Sequence, residues 1–153
     1  MQEAFLTRAV IQRVKSCSVS AGHKVISETS TGLLVLLGVA KGDTEKDLAY
    51  LSDKVLNMRI FPDDQGKMNL SVLDIEGQVA VVSQFTLLAD TRKGRRPSFI
   101  DAEDPPRAEE MYEKFVDRIR AAGLEVGTGS FGEMMLVSLQ NWGPVTIVID
   151  STA

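Results

Sequence analysis

The sequence predicts a mixed α/β fold, a single sheet-rich domain with mixed β-sheets and two main helices. Two apolar runs, GLLVLLGVA (32–40) and QVAVVSQFTLLA (78–89), are too short for most helices. Such runs suit strands covered on both faces. Two other stretches place apolar residues at helical spacing on a polar background. Across all 153 residues there is no repeat, no low-complexity tract and no interdomain linker. A chain of that length buries roughly 70% of its unfolded surface and needs no cross-links to hold a core. Residues 1–153 are therefore read as one domain.

The first element, RAVIQRVKSCSV (8–19), has strand composition, with Ala9, Ile11 and Arg13 alternating with Val10, Gln12 and Val14. AGHK is a turn signal, and VISETS returns as the hairpin partner. The glycine-bounded run 32–40 reads as a central strand. In GDTEKDLAYLSDKVLNMRIF the period changes: Leu48, Leu51, Val55 and Met58 form a helical stripe. Asp43 or Thr44 caps its start, and acidic residues fill the first turn. PDDQGK is a turn, and 78–89 is the second apolar strand. The plainest helix is DPPRAEEMYEKFVDRIRAAG, with Asp104 as N-cap, Pro105 at the first helical position and Gly123 as C-cap. Its stripe is Ala108, Met111, Tyr112, Phe115 and Ile119. GSFGEMMLVSLQN and VTIVID close the chain as strands.

Composition narrows the function. The hydrophobic fraction, 44%, and the charged fraction, 25%, are those of ordinary globular proteins. No run approaches the length of a membrane span, and MQEAFLT lacks the parts of a secretion signal. A single cysteine, Cys17, excludes an internal disulfide and fits a reducing, cytoplasmic setting. One His and one Cys, neither in a ligand-spaced motif, give no reason to expect a metal. No Walker loop or dinucleotide fingerprint is present, so no cofactor is expected. His23 reads as an exposed turn residue and Cys17 as a small packing residue. The carboxylate pairs Asp63/Asp64 and Glu109/Glu110 are sequence neighbours that point in different directions, and read as solvated surface.

With a net charge of −4 the whole-molecule field gives no reason to expect nucleic acid, DNA included. The loop TRKGRRP nevertheless packs Arg92, Lys93, Arg95 and Arg96 into five positions. Taken alone it reads as a solvated loop of charges; the other reading is a local phosphate contact.

Two polar interruptions remain. In SQFTL, hydrogen-bonding side chains intrude on an apolar strand. Alternation would send Ser83 and Phe85 one way, and Gln84 and Thr86 the other. An edge strand facing water explains this as well as a site does. Near the C-terminus, Gly143 and Pro144, poor strand residues both, introduce VTIVID. A trans bond would simply end a loop. A cis bond would turn the chain sharply and could aim the carbonyls of both residues in nearly the same direction.

SQFTL, ADTRKGRRPSF and NWGPVT together closely resemble the bacterial D-aminoacyl-tRNA deacylases. GLLVLLGVAKGD, LNMRIF and GKMNLSVLD extend the resemblance from Arg8 to Asp150. The chain departs from the family in an N-terminal extension (1–7), with Thr7 where the family starts with Met, and in Trp142, where relatives often carry Asp. The resemblance implies a layered α/β/β homodimer with active sites at the subunit interface. It implies a cis Gly143–Pro144 pair inserted into the partner's site as a chiral selector. Arg13 would fix that pair, Ser83, Gln84, Phe85 and Thr86 would line the pocket, and Phe131 and Met135 would lie near the terminal adenosine.

The implied substrate is D-aminoacyl-tRNA, together with glycyl-tRNA mischarged on a non-cognate tRNA. The implied reaction is ester hydrolysis that frees the amino acid, with Arg92, Lys93, Arg95 and Arg96 holding phosphates. Thr86 looks like the nucleophile, but nothing obvious supplies the base it would need. Attack by water assisted by the tRNA 2′-OH is the expected route, with main-chain donors near Phe85 and Thr86 at the oxyanion. Two other classes remain: a tRNA-independent hydrolase of small D-amino-acid esters, and a non-catalytic dimeric binding module.

Overall fold

The computed structural model describes residues 6–151. Its backbone is eight strands and two helices: β1 (Arg8–Ala21), β2 (Lys24–Thr29), β3 (Gly32–Gly38), α1 (Glu45–Asn57), β4 (Phe61–Pro62), β5 (Met68–Leu70), β6 (Gln78–Ser83), α2 (Pro105–Ala121), β7 (Val126–Thr128) and β8 (Leu136–Asp150), with a 3-10 turn at Phe85–Leu88. The main sheet runs β2-β1-β3-β6-β7, with β8 on the other edge of β1, and β4 and β5 form a separate ribbon. It is mixed: β1 pairs antiparallel with β2, β3 and β8, while β3–β6 and β6–β7 are parallel.

The run 32–40 is central because both its faces are covered. Leu33, Val35 and Leu37 pack against Leu48, Leu51 and Val55 of α1 and Met111, Phe115 and Ile119 of α2. Leu34 faces the other way, to Val14, Cys17 and Val19 of β1 and to Val137 and Leu139 of β8. One long strand, β1, therefore serves both layers. Its first half pairs with β3 and its second half with β2.

The helix signals hold with two refinements. Thr44 caps α1 in a capping box with Asp47. Asp43 instead turns inward: its carboxylate accepts from the Thr7 amide at 2.6 Å, and Ser151 N donates to Thr7 O at 2.8 Å. Thr7 is thus built into the fold, while residues 1–5 of the expected extension lie outside the described residues. In α2, Asp104 stands at the N-cap but its side chain makes no capping bond, and Pro105 occupies the first turn. The C-cap is Ala122. Gly123 follows it at φ +94°, in the left-handed region where glycine carries no Cβ penalty.

Three strand boundaries differ from the sequence reading. The strand expected from Gly129 begins only at Leu136, because the chain first turns at Phe131–Gly132, with Gly132 at φ +79°. The strand expected over 78–89 stops at Ser83, and the chain turns into the 3-10 segment. The alternation assumed for Ser83 to Thr86 does not apply there. The last two strands are one: β8 passes through Gly143–Pro144, whose peptide bond is cis. It does so by bulging. Gln12 pairs with Thr146 and Val14 with Asn141, so Trp142 to Val145 stand opposite Arg13 alone. Lys15 is a second extra residue, between Val14–Asn141 and Ser16–Gln140. Among the described residues β8 pairs with β1 alone, and an edge strand with a bulge is where a sheet tolerates proline.

Candidate active site

A cavity of about 510 Å³ opens where β6 ends. Its lining joins Ser83 and Phe85 to Phe131 and Met135, with Val39, Phe99 and Ala108 as apolar walls and Glu103, Asp104 and Glu133 as acidic members. Four of the predicted residues therefore converge, from two segments 46 positions apart at their nearest (Phe85 and Phe131). Phe99 was missed by the residue-level reading; its signal was an aromatic directly after the basic loop. It meets the Phe85 ring edge-on, at 5.1 Å between centroids. That contact holds an aromatic which is otherwise 55% exposed.

The 3-10 turn decides what faces outward. Gln84 N donates to Leu37 O at 2.8 Å, so the backbone keeps its place in the sheet until the turn begins. The Gln84 side chain then donates to Thr86 Oγ1 at 3.1 Å. Thr86 is exposed, and its hydroxyl is engaged by an amide, which is no base. The first N–H groups of such a turn, here those of Phe85 and Thr86, have no carbonyl within the turn to meet. Below the cavity, Tyr112 OH donates to Val81 O at 2.5 Å and ties α2 to β6. Burial raises the Tyr112 phenol to about 12, outweighing the Gly129 amide that favours its ionised form. Burial also works to raise the Glu103 carboxyl, but the Asp104 amide and Arg107 together bring it below the usual range.

Gly143 and Pro144 are not in this cavity. Arg13, paired with Leu33, marks the bulge, and Leu37 is paired with Ser83. Three strand spacings and four residues of strand separate the two, a diagonal of about 20 Å. Both residues of the pair are exposed. Arg13, 8% exposed, donates from Nε to Trp142 O at 2.8 Å and from Nη1 to Ile60 O at 2.6 Å. Burial lowers its pKa. Gly143 sits at φ +130°, and a Cβ there would lie 3.0 Å from both Arg13 Nη2 and Val145 N.

The basic loop is closed by reciprocal backbone bonds between Asp90 and Ser98. Arg92 folds back in a two-bond pair with Asp90, which brings that carboxyl down to about 2. Lys93, Arg95 and Arg96 are exposed. His23 stands exposed in the β1–β2 turn at φ +65°, outside the cavity lining, and Cys17 is buried with its thiol pushed up. Among the described residues no group of three or more His, Cys, Asp or Glu is arranged to hold a metal, and no helix is long and apolar enough to cross a membrane.

The family model described as D-Tyr-tRNA(Tyr) deacylase matches residues 10–150. A D-aminoacyl-tRNA deacylase of Aquifex aeolicus is 60% identical over 144 residues, covering 94% of this chain and 97% of the relative. One of Thermosipho melanesiensis is 54% identical over 145 residues, covering the same shares. Among solved structures, a chain described as c-Myc DNA Unwinding Element Binding Protein superposes with a TM-score of 0.89 at 41% identity, over 95% of this chain and 99% of that one. A probable eukaryotic D-amino acid tRNA deacylase shares the fold, with a TM-score of 0.83 at 18% identity over 95% of this chain and all of its own. Matched from β1 to the end of β8, the chain belongs to the D-Tyr-tRNA(Tyr) deacylase family.

Proposed function

We propose that the chain hydrolyses the ester joining a D-amino acid to the 3′ end of tRNA, as a homodimer in which each subunit lends Gly143–Pro144 to the other's cavity. The observation that carries this reading is the separation. The cavity at Ser83 and Phe85 is open, and the Gly-Pro pair stands about 20 Å away on an exposed bulge of the same chain. A second copy supplies what one chain keeps apart.

Within the completed site the carbonyls of Gly143 and Pro144 obstruct an L-side chain and admit a D-side chain or glycine. Fixed backbone atoms discriminate by handedness rather than by side-chain identity, so many D-residues are accepted, and glycyl-tRNA is hydrolysed too. Phe131 and Met135 receive the terminal adenosine. Lys93, Arg95 and Arg96, with Arg92 once it leaves Asp90, hold acceptor-end phosphates.

The chemistry is carried by water and the substrate's own 2′-OH. Thr86 has an amide for a neighbour and no base, so its hydroxyl stays a weak nucleophile. The Phe85 and Thr86 amides stabilise the oxyanion, and the cavity walls orient the ester. No cofactor or metal enters these steps.

The test is to mix the protein with D-Tyr-tRNA, L-Tyr-tRNA and a free D-tyrosine ester. Release from D-Tyr-tRNA alone is the expected result. Release from the free ester as well would favour a tRNA-independent esterase, and binding without release would make the chain a binding module. A D-Tyr-tRNA ending in 2′-deoxyadenosine should resist hydrolysis; rapid turnover of it would refute the 2′-OH route.

A further inference from the structure

Trp142 is the sole tryptophan of the chain and the residue immediately before the Gly-Pro pair. Its ring lies 4.4 Å from the Arg13 guanidinium carbon and 3.7 Å from Lys15 Nζ, measured to the ring centroid. Phe61 packs against it at 6.1 Å. Its carbonyl accepts from Arg13 Nε. Lys15 reaches the ring because it is the extra residue of the β1 bulge; regular pairing would leave no unmatched residue there.

We propose that Lys15 and Trp142 are positioning residues for the selector: together with Arg13 they clamp the main chain entering Gly143 and so set how sharply D- and L-aminoacyl groups are separated. The physical case is one of stiffness. Trp142 and Val145 pack their side chains against the core, and the Arg13 hydrogen bond holds the Trp142 carbonyl. Two cations and an aromatic on the indole narrow its remaining motion, and its carbonyl is the point from which Gly143 departs. A cation over an indole face is attracted by the ring quadrupole, and Trp is the strongest aromatic partner. Lys15 is not in the cavity lining and meets the Trp142 ring, so its loss should alter discrimination more than turnover. The proposal rests on the reading of Gly143–Pro144 as the selector.

The test compares Lys15→Met, Lys15→Arg, Trp142→Ala, Trp142→Phe and Pro144→Ala by single-turnover deacylation of D-Tyr-tRNA and L-Tyr-tRNA. The D-to-L rate ratio should fall about tenfold in Trp142→Ala, the product of two cation–π contacts of ordinary strength, and about threefold in Lys15→Met. Lys15→Arg and Trp142→Phe should retain most of it. Acrylamide quenching of Trp142 fluorescence should rise in Lys15→Met, which is a readout independent of activity. D and L rates falling in parallel, or an unchanged ratio in Lys15→Met, overturn the clamp. Lys15→Met decides the matter if Trp142→Ala does not fold. A ratio that survives Pro144→Ala sinks the selector reading and the clamp with it. A ratio that collapses in Pro144→Ala but is intact in Lys15→Met sinks the clamp alone.

Discussion

Two strands in this molecule carry residues that do not suit a strand, and the sheet treats them in opposite ways. β6 lies between β3 and β7, and it ends at Ser83, handing Phe85 to Leu88 to a 3-10 turn. Among the described residues β8 pairs with β1 alone, and it continues for 15 residues with Gly143–Pro144 thrown out in a bulge. An edge strand can loop out residues because its far side owes no hydrogen bonds, whereas β6 has already lost β7 after Val81 and keeps only β3, at Leu37–Ser83, when it turns away. One interruption thus becomes the wall of a cavity and the other an exposed projection. In the proposed homodimer the projection of one subunit would enter the cavity of the other.

The comparison can be broken most severely at Arg13, which serves the bulge from inside the core. Arg13→Ala strips the donor from the carbonyls of Ile60 and Trp142. It should cost about 3 kcal/mol in urea unfolding, the scale of hydrogen bonds to a charged group. A loss below about 1 kcal/mol would mean the bulge holds itself. Gly143→Ala comes next. It forces an alanine to φ +130° with its Cβ 3.0 Å from Arg13, and deacylation of D-Tyr-tRNA should drop about 100-fold as the pair is displaced.

The β6 side is probed by pH. Tyr112, which ties α2 to Val81, has its folded pKa raised to about 12 from an unfolded value near 10. Its contribution is fully present below pH 10 and is lost as pH rises towards 12, because the unfolded phenol ionises first. Roughly 2–3 kcal/mol of stability should disappear over that window in the wild type. Tyr112→Phe should flatten this alkaline limb, and denaturant melts from pH 9 to 12 measure it.

Smaller effects are expected outside both strands. Replacing Lys93, Arg95 and Arg96 together by Ala should weaken tRNA binding several-fold and reduce the slope of log affinity against log salt by about 2. An unchanged slope would remove the loop from the interface. Thr86→Ala should change least, keeping single-turnover deacylation within about tenfold of wild type. A loss of about 10⁴-fold, as when a catalytic triad member is removed, would restore Thr86 as nucleophile.

Much of this molecule was legible in the order of its residues. Period and length marked both helices and the central strand, because burying an apolar stripe or a two-faced run is a local requirement with a local signature. Ser83 and Phe85 stand in a polar interruption that the residues themselves display, whereas Phe131 and Met135 could be named only through the family resemblance. What the residues could not state was where β6 stops and that β8 does not. Phe-Thr-Leu-Leu has strand composition, and Gly-Pro reads as a break; the outcome depends on which remote strand is there to pair, since β7 leaves β6 after Val81 whereas β1 stays with β8 on both sides of the bulge. The partners of Trp142 were hidden for the same reason. Lys15 lies 127 positions away and reaches the indole because a bulge shifts the register by one residue. Chain chemistry by itself determined which segments must be buried and which family the motifs resemble. The tertiary structure alone decided which interruption ends a strand and which projects from one, since hydrogen-bond ladders are closed by residues remote in sequence.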